Sequence, residues 1–296
     1  MVEWERSVIV ALEEKLLLGT TVAKDKTEQL REKVEELHKQ GIKPKLVMMR
    51  VGDKADDLAY QRSALSRMEK VNILSEVQEF PNDVTEEVFL RQLEENNQND
   101  EVHGILIFLP LPKHLDLKKV KECISPDKDI DAISPINIAR LMNAEECFVP
   151  CTPKAVMELL SYYNIPLQGK HVVVIGRSMV VGKPVSMLLL NENATVTMTH
   201  SKTTNLQELT KRADIIVCAL GKSKFLTEEH VSSHSIVIDV GINVDETGAL
   251  TGDADTEQIL PIVKAITPVP RGVGSVTTVM LAKQVIESAE RGLQQK

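Results

Sequence analysis

Residues 172–203 constrain the fold most; they read VVVIGRSMVVGKPVSMLLLNENATVTMTHSKT. Val172 to Ile175 is an apolar run of the right length for a buried strand. It enters Gly176-Arg177-Ser178, then Gly182-Lys183-Pro184, then a segment with helical apolar spacing. A second apolar strand, Ala194 to Met198, ends in His200-Ser201-Lys202-Thr203. Strand, glycine turn, helix, strand is the unit with which a doubly wound sheet binds a dinucleotide, the pyrophosphate resting on free N–H groups where the helix begins. The spacing is not G-x-G-x-x-G, so the glycines alone also fit a solvated loop of some other α/β protein. The residues after the second strand decide between them. An Asp or Glu there would accept hydrogen bonds from a ribose 2′-hydroxyl. Ser201, Lys202 and Thr203, with Arg177 from the first turn, offer hydroxyls and cations instead, which suit a 2′-phosphate and predict NADP over NAD.

The remaining sequence predicts a chain built the same way throughout. Lys45 to Val51 and Val102 to Leu109 read as strands, the latter continuous enough to be buried in a parallel sheet. Residues 22–41 carry an amphipathic helix with Leu30, Val34 and Leu37 on one face. Asp56 to Val71 is a second helix. Thr85 to Asn96 is a third, with Thr85 placed as N-cap ahead of Glu86 and Glu87. Strands alternating with helices give the α/β class. A boundary falls near Pro150-Cys151-Thr152-Pro153, where Thr152-Pro153 can start the next helix. Beyond it, strands are expected at 172–175, 194–198, 214–218 and 235–240. Thr277 to Leu293 is a long helix with Val279, Leu281, Val285 and Ile286 apolar; periodicity does not say which domain it packs on.

Composition removes several classes of function. With 296 residues the chain can bury two cores. A net charge of −8 without a basic cluster argues against nucleic acid, and no apolar run is long enough for a bilayer. The acidic residues of MVEWERSVIVALEEK stand where a targeting peptide would be basic, so a cytoplasmic protein is expected. Cys123, Cys147, Cys151 and Cys218 form no C-x-x-C pair, and His103, His114 and His200 have no ligand spacing, so no metal is expected. Cys218 reads as a small core residue.

The chain resembles the methylenetetrahydrofolate dehydrogenase/cyclohydrolase family over nearly its whole length. The resemblance is carried by Val51-Gly52-Asp53 with Tyr60, Leu109-Pro110-Leu111-Pro112, Lys128-Asp129-Ile130-Asp131 and Pro150-Cys151-Thr152-Pro153. It continues through Gly176-Arg177-Ser178, His200-Ser201-Lys202-Thr203, Asp239-Val240-Gly241-Ile242-Asn243 and Thr267-Pro268-Val269-Pro270. Each is short; in this order and spacing they are specific. The resemblance implies two α/β domains around a cleft, the C-terminal one Rossmann-like. A catalytic, folate-binding domain would comprise residues 1–150 with the returning helix 277–296, and an NADP domain residues 151–276. It also implies a homodimer. By the same resemblance Tyr60 and Asp131 are the catalytic pair, with Asp131 accepting the pterin 2-amino and ring N–H groups. Ala64, Ile107, Phe108, Leu109, Pro270, Arg271 and Gly272 would line the substrate with them, and Ile242 would join the cofactor residues. Without the resemblance, Lys128-Asp129-Ile130-Asp131 reads as a polar turn.

The departures from the family pattern carry the finer expectation. The family has a lysine four residues after the tyrosine; here it is Ala64. The glutamine that partners this lysine, just before Leu-Pro-Leu-Pro, is Phe108. A glycine after Asp131 is Ala132, and Pro-Gly-Gly-Val-Gly-Pro is Pro270-Arg271-Gly272-Val273-Gly274-Ser275. Arg62 lies about 200° around the helix from Ala64, and Arg67, on the same face, cannot act as a neutral base. Oxidising 5,10-methylenetetrahydrofolate removes a hydride and leaves a cation stabilised by two nitrogens, so it needs positioning rather than a base. Hydrolysing the methenyl product needs proton transfer, which neither Ala64 nor Phe108 provides. The sequence therefore predicts an NADP-dependent dehydrogenase without cyclohydrolase activity. Alternatives are a same-fold NADP enzyme acting on a modified pterin or other substrate, and a non-catalytic folate- and NADP-binding paralogue.

Overall fold

The computed structural model describes residues 12–294. It divides into two compact units. One joins Lys24–Cys151 to the residues from Thr278 onward; the other joins the described residues up to Ala23 to Thr152–Thr277.

The first unit holds most of helix α1 (Gly19–Lys39), strand β1 (Lys45–Val51), helix α2 (Ala55–Lys70), strand β2 (Leu74–Phe80), helix α3 (Glu86–Gln98) and strand β3 (Gly104–Ile107), followed by helices α4 (Leu117–Cys123) and α5 (Pro135–Met142). Its sheet is parallel, in the order β2-β1-β3. Leu30, Val34 and Leu37 are buried as the period required. Thr85 caps α3, its hydroxyl accepting the Val88 N–H at 3.4 Å. Helix α6 (Cys151–Tyr162) begins one residue before the expected Thr152.

The second unit is a doubly wound half. Strands β4 (His171–Ile175), β5 (Thr195–Thr199), β6 (Ile215–Cys218) and β7 (Ile236–Asp239) contain helices α7 (Gly182–Asn191) and α8 (Leu206–Lys211) in their crossovers. A hairpin of β8 (Asn243–Val244) and β9 (Leu250–Thr251), helix α9 (Thr256–Ile259) and strand β10 (Ala265–Ile266) complete it. The parallel order is β10-β7-β6-β4-β5. The central strands β4, β6 and β7 are buried on both faces, Cys218 included.

Two findings differ from the expected domain limits. The segment before Ala23 sits with the second unit, because Leu17 N–H donates to Ile266 C=O at 2.8 Å and Ile266 N–H donates to Lys15 C=O at 2.9 Å. Residues 1–11, which carry most of the expected cytoplasmic N-terminus, lie outside the described residues. The last helix, α10 (Gly274–Gln294), starts three residues earlier than its apolar period suggests, and from Thr278 it belongs to the first unit. There Gly104 lets it approach β3: a Cβ on that glycine would lie 3.1 Å from the Val285 side chain.

Candidate functional site

In the second unit the glycines build a cradle at the carboxyl ends of adjacent strands. Strands β4 and β5 pair in parallel with Ile175 opposite Thr199, so the loops after them leave the sheet side by side. Gly176 takes φ +125°, and a Cβ there would meet the Ala219 carbonyl oxygen at 2.2 Å. A Cβ on Gly182 would meet the Gly176 carbonyl oxygen at 2.3 Å. Both positions exclude side chains, so helix α7 starts hard against the end of β4, the close approach a pyrophosphate cradle needs. Ser178 accepts the N–H groups of Val181 at 3.1 Å and Gly182 at 3.4 Å, which orders the turn.

The groups expected to read the 2′-phosphate divide into two kinds. Arg177, Ser201 and Lys202 are exposed. Thr203 instead shapes the loop: its hydroxyl accepts the His200 N–H at 2.9 Å, while the His200 ring accepts the Lys202 N–H at 3.1 Å. The His200 ring thus helps hold the loop. Ile242 is 65% exposed at the end of β7. The turn carrying it is held by two buried carboxylates that sequence reasoning missed. Asp239 accepts the Gly241, Asp253 and Ala254 N–H groups. Asp253 accepts Leu220, Gly221 and Lys222 N–H and the Asn243 side chain. Burial pushes the Asp239 carboxyl up to about 6.

Pro270, Arg271 and Gly272 lie in the same unit as the cradle. Arg271 is exposed and holds φ +80°, a left-handed conformation that favours glycine. Its carbonyl accepts the Thr20 N–H at 3.2 Å, and a Cβ on Gly19 would collide with the Gly272 carbonyl oxygen at 1.9 Å.

In the first unit the structure brings together Tyr60, Phe108, Asp131 and Cys151. Tyr60 and Phe108 meet edge to face with ring centroids 6.1 Å apart, a favoured aromatic geometry. Ala64, one turn after Tyr60, is fully buried. The Ile107 side chain is in the hydrophobic core with Val47, Met49 and Phe89, and Leu109 packs against that cluster. Alternation along the strand sends Phe108 to the opposite face, toward Tyr60.

Asp131 is half-buried and accepts the Cys151 N–H at 2.9 Å. Burial raises its carboxyl to about 6, and nearby Asp129 adds to the rise; the Cys151 backbone and thiol oppose it. Burial also holds the Tyr60 phenol well above its ordinary range, with Cys151 and Asp131 adding to the effect. Tyr60 is therefore a hydrogen-bond donor at neutral pH, not a base. Arg67 is occupied elsewhere, donating to Thr27 and, at 3.3 Å, to Thr278. Arg62 is exposed.

The scaffold of Asp131 was not legible in the sequence. Lys128 caps the end of α3, donating to the carbonyls of Asn96, Asn97 and Asn99 at 3.2, 2.6 and 2.7 Å. Asp129 accepts Ile133 and Ser134 N–H and the Asn137 amide. Together they hold a turn in which Ala132 has φ +51°. The polar turn is a fixed platform.

A glycine cradle on a parallel sheet and a separate unit presenting a carboxylate beside an aromatic pair define a nucleotide-dependent α/β enzyme. The sequence comparisons narrow this further. Residues 17–131 match the tetrahydrofolate dehydrogenase/cyclohydrolase catalytic domain, and residues 150–293 match its NAD(P)-binding domain. The chain belongs to the tetrahydrofolate dehydrogenase/cyclohydrolase family. It is 50% identical over 278 residues to the bifunctional protein FolD of Clostridium botulinum (strain Langeland), covering 94% of this chain and 99% of that one. Among solved structures it is similar to the bifunctional FolD of Campylobacter jejuni (39% identity, TM-score 0.91, covering 93% and 98%). It is also similar to the Trypanosoma brucei enzyme complexed with NADP cofactor and inhibitor (34% identity, TM-score 0.89, covering 94% and 98%).

Proposed function

We propose that this chain oxidises 5,10-methylenetetrahydrofolate to 5,10-methenyltetrahydrofolate with NADP and no longer hydrolyses the product. The observation that carries the second half is the Tyr60–Phe108 pair above a buried Ala64. An aromatic edge and a methyl group stand where the family pattern has an amide and an amine.

NADP is the cofactor, and the residues fit it. Gly176 and Gly182 leave the space a pyrophosphate needs, and Arg177 and Lys202 stand exposed for a 2′-phosphate. Bound there, the cofactor would supply the acceptor for the hydride of the methylene carbon. Asp131, oriented by the Cys151 N–H, holds the pterin through its 2-amino and ring N–H groups. Tyr60, kept protonated by burial, donates and orients. Losing a hydride between two nitrogens releases no proton, so the step proceeds without a base. Hydrolysis differs: water must lose a proton as its oxygen bonds the methenyl carbon, and a ring nitrogen must gain one. A positioned acid–base group contributes about 10²–10⁴-fold to such a step. Arg67, on the Ala64 face of the helix, is held by Thr27 and Thr278, and the Lys54 amine donates to the Pro110 carbonyl at 2.7 Å.

The homodimer, from the family resemblance, and a cytoplasmic place, from the acidic N-terminal composition, are part of this proposal. No helix among the described residues is long and apolar enough to cross a membrane. The test is to mix purified protein with NADP⁺ and methylenetetrahydrofolate and follow NADPH and methenyl product separately. Equal accumulation of the two supports the proposal. NADPH formed with immediate loss of the methenyl species contradicts it, and binding without turnover favours the non-catalytic alternative. Sedimentation reads the dimer.

A further inference from the structure

Gln284 is a glutamine on the apolar stripe of α10, between Leu281 and Val285, and it is fully buried. Its Oε1 accepts the Val149 N–H at 3.0 Å. Its Nε2 donates to the Val149 carbonyl at 2.9 Å and to the Ile130 carbonyl, and lies 3.5 Å from the Cys151 sulfur. Because Val149 presents both its N–H and its C=O, the orientation of the amide is fixed. The Cys151 thiol closes the array by donating to the Ile130 carbonyl at 3.6 Å. Ile130 and Cys151 are the two attachments of Asp131: one precedes it in the chain, and the other donates its N–H to the carboxylate at 2.9 Å.

We propose that Gln284 is the positioning residue of Asp131, fixing both of its attachments so that the carboxylate meets the pterin donors in one geometry. The last helix then takes part in substrate recognition through a single amide. The inference rests on the reading of Asp131 as the pterin carboxylate. Hydrophobic anchoring alone would be served by leucine at position 284. A buried amide whose polar atoms engage the segments on either side of Asp131 does more than fill space, since each such group costs stability if left unpaired.

The test uses the full-length protein and Q284M, which keeps side-chain volume and removes both polar atoms. The KM for methylenetetrahydrofolate should rise about five- to tenfold, about 1–1.4 kcal/mol. The affinity for NADP, which binds in the other unit, should stay unchanged. The decisive arm combines Q284M with Asp131→Ala. If Gln284 acts through Asp131, the double variant is no worse than Asp131→Ala alone. A further multiplicative loss, or an unchanged KM in folded Q284M, overturns the proposal. Wild-type kinetics in Asp131→Ala alone overturn the reading of Asp131 instead, which keeps the two failures apart. Should Q284M not fold, Q284N carries the same comparison. Failure of both variants to fold contradicts the proposal and marks Gln284 as structural.

Discussion

The two halves of the candidate machinery solve recognition differently. In the second unit the cradle is shaped by absence: Gly176 and Gly182 have no side chain where one would strike backbone, and Arg177, Ser201 and Lys202 stand in solvent. In the first unit the Asp131 platform is shaped by presence. Lys128, Asp129, Cys151 and Gln284 each direct polar atoms to backbone or carboxylate, and the carboxylate they hold is strained electrostatically, its pKa raised to about 6 by burial. Open loops read a ligand with free cations and tolerate change residue by residue. A closed, hydrogen-bonded platform fails as a unit.

That contrast sets the expected sizes of effects. The largest belongs to the platform. Asp131→Ala should lower folate-dependent kcat/KM by roughly 10²–10⁴-fold, leaving a measurable residue, while NADP titration stays as in wild type, because two pterin donors lose a charged acceptor at about 1.5–3 kcal/mol each. In the unmutated protein the same carboxylate should protonate as pH falls through about 6, and the KM for folate should rise there while NADP affinity holds. The folding side of this titration has the opposite sense. A carboxyl pKa raised from 3.8 means the folded state holds the proton more tightly. This group therefore disfavours folding progressively as pH rises from about 4 to about 6 and favours it below.

Next in size is restoring the family pair. Ala64→Lys with Phe108→Gln should create measurable methenyl hydrolysis, of order 10²-fold over the unmutated protein. Ala64→Lys alone should do less and should lower the melting temperature, because it places an ammonium at a fully buried position with no amide partner. If the single change hydrolyses as well as the double one, Phe108 is not part of the lost pair.

Smaller effects belong to the open unit. Arg177→Ala should weaken NADP about tenfold, roughly 1.4 kcal/mol, and leave NAD nearly unchanged, as isothermal titration would read. Equal weakening of both cofactors would move Arg177 from the 2′-phosphate to a shared group. Smallest is Arg271→Gly, which relieves a left-handed φ of +80° and should stabilise the fold by up to about 1 kcal/mol in denaturant unfolding. A loss of stability would show that the arginine side chain supports the loop.

The same contrast explains what the sequence made legible. The cradle was readable because its logic is local: glycines within a few residues of a strand end, and cations after the next strand. Thr85 was readable for the same reason, since a cap acts over three residues. The platform was not. Gln284 meets Val149 135 residues away and Ile130 154 residues away, contacts that no local pattern encodes. A trace existed, a lone glutamine on the buried stripe of a helix, but a stripe does not say which backbone it will meet. Periodicity alone puts Arg67 on the face of Ala64; its partners Thr27 and Thr278 come from the two ends of the chain. Strand alternation puts the Ile107 side chain in the core beside Phe89, which the sequence did not single out.

We propose that this chain, from a family of dehydrogenase/cyclohydrolases, keeps the first activity without the second. The most direct measurement supplies methenyltetrahydrofolate itself and follows its disappearance with and without the purified protein, in one buffer, with NADP absent. We expect the two traces to superimpose while the same preparation reduces NADP⁺ when given methylenetetrahydrofolate. A protein-dependent loss clearly faster than buffer, abolished by Asp131→Ala, would contradict the account and require a proton-transfer group other than the missing lysine.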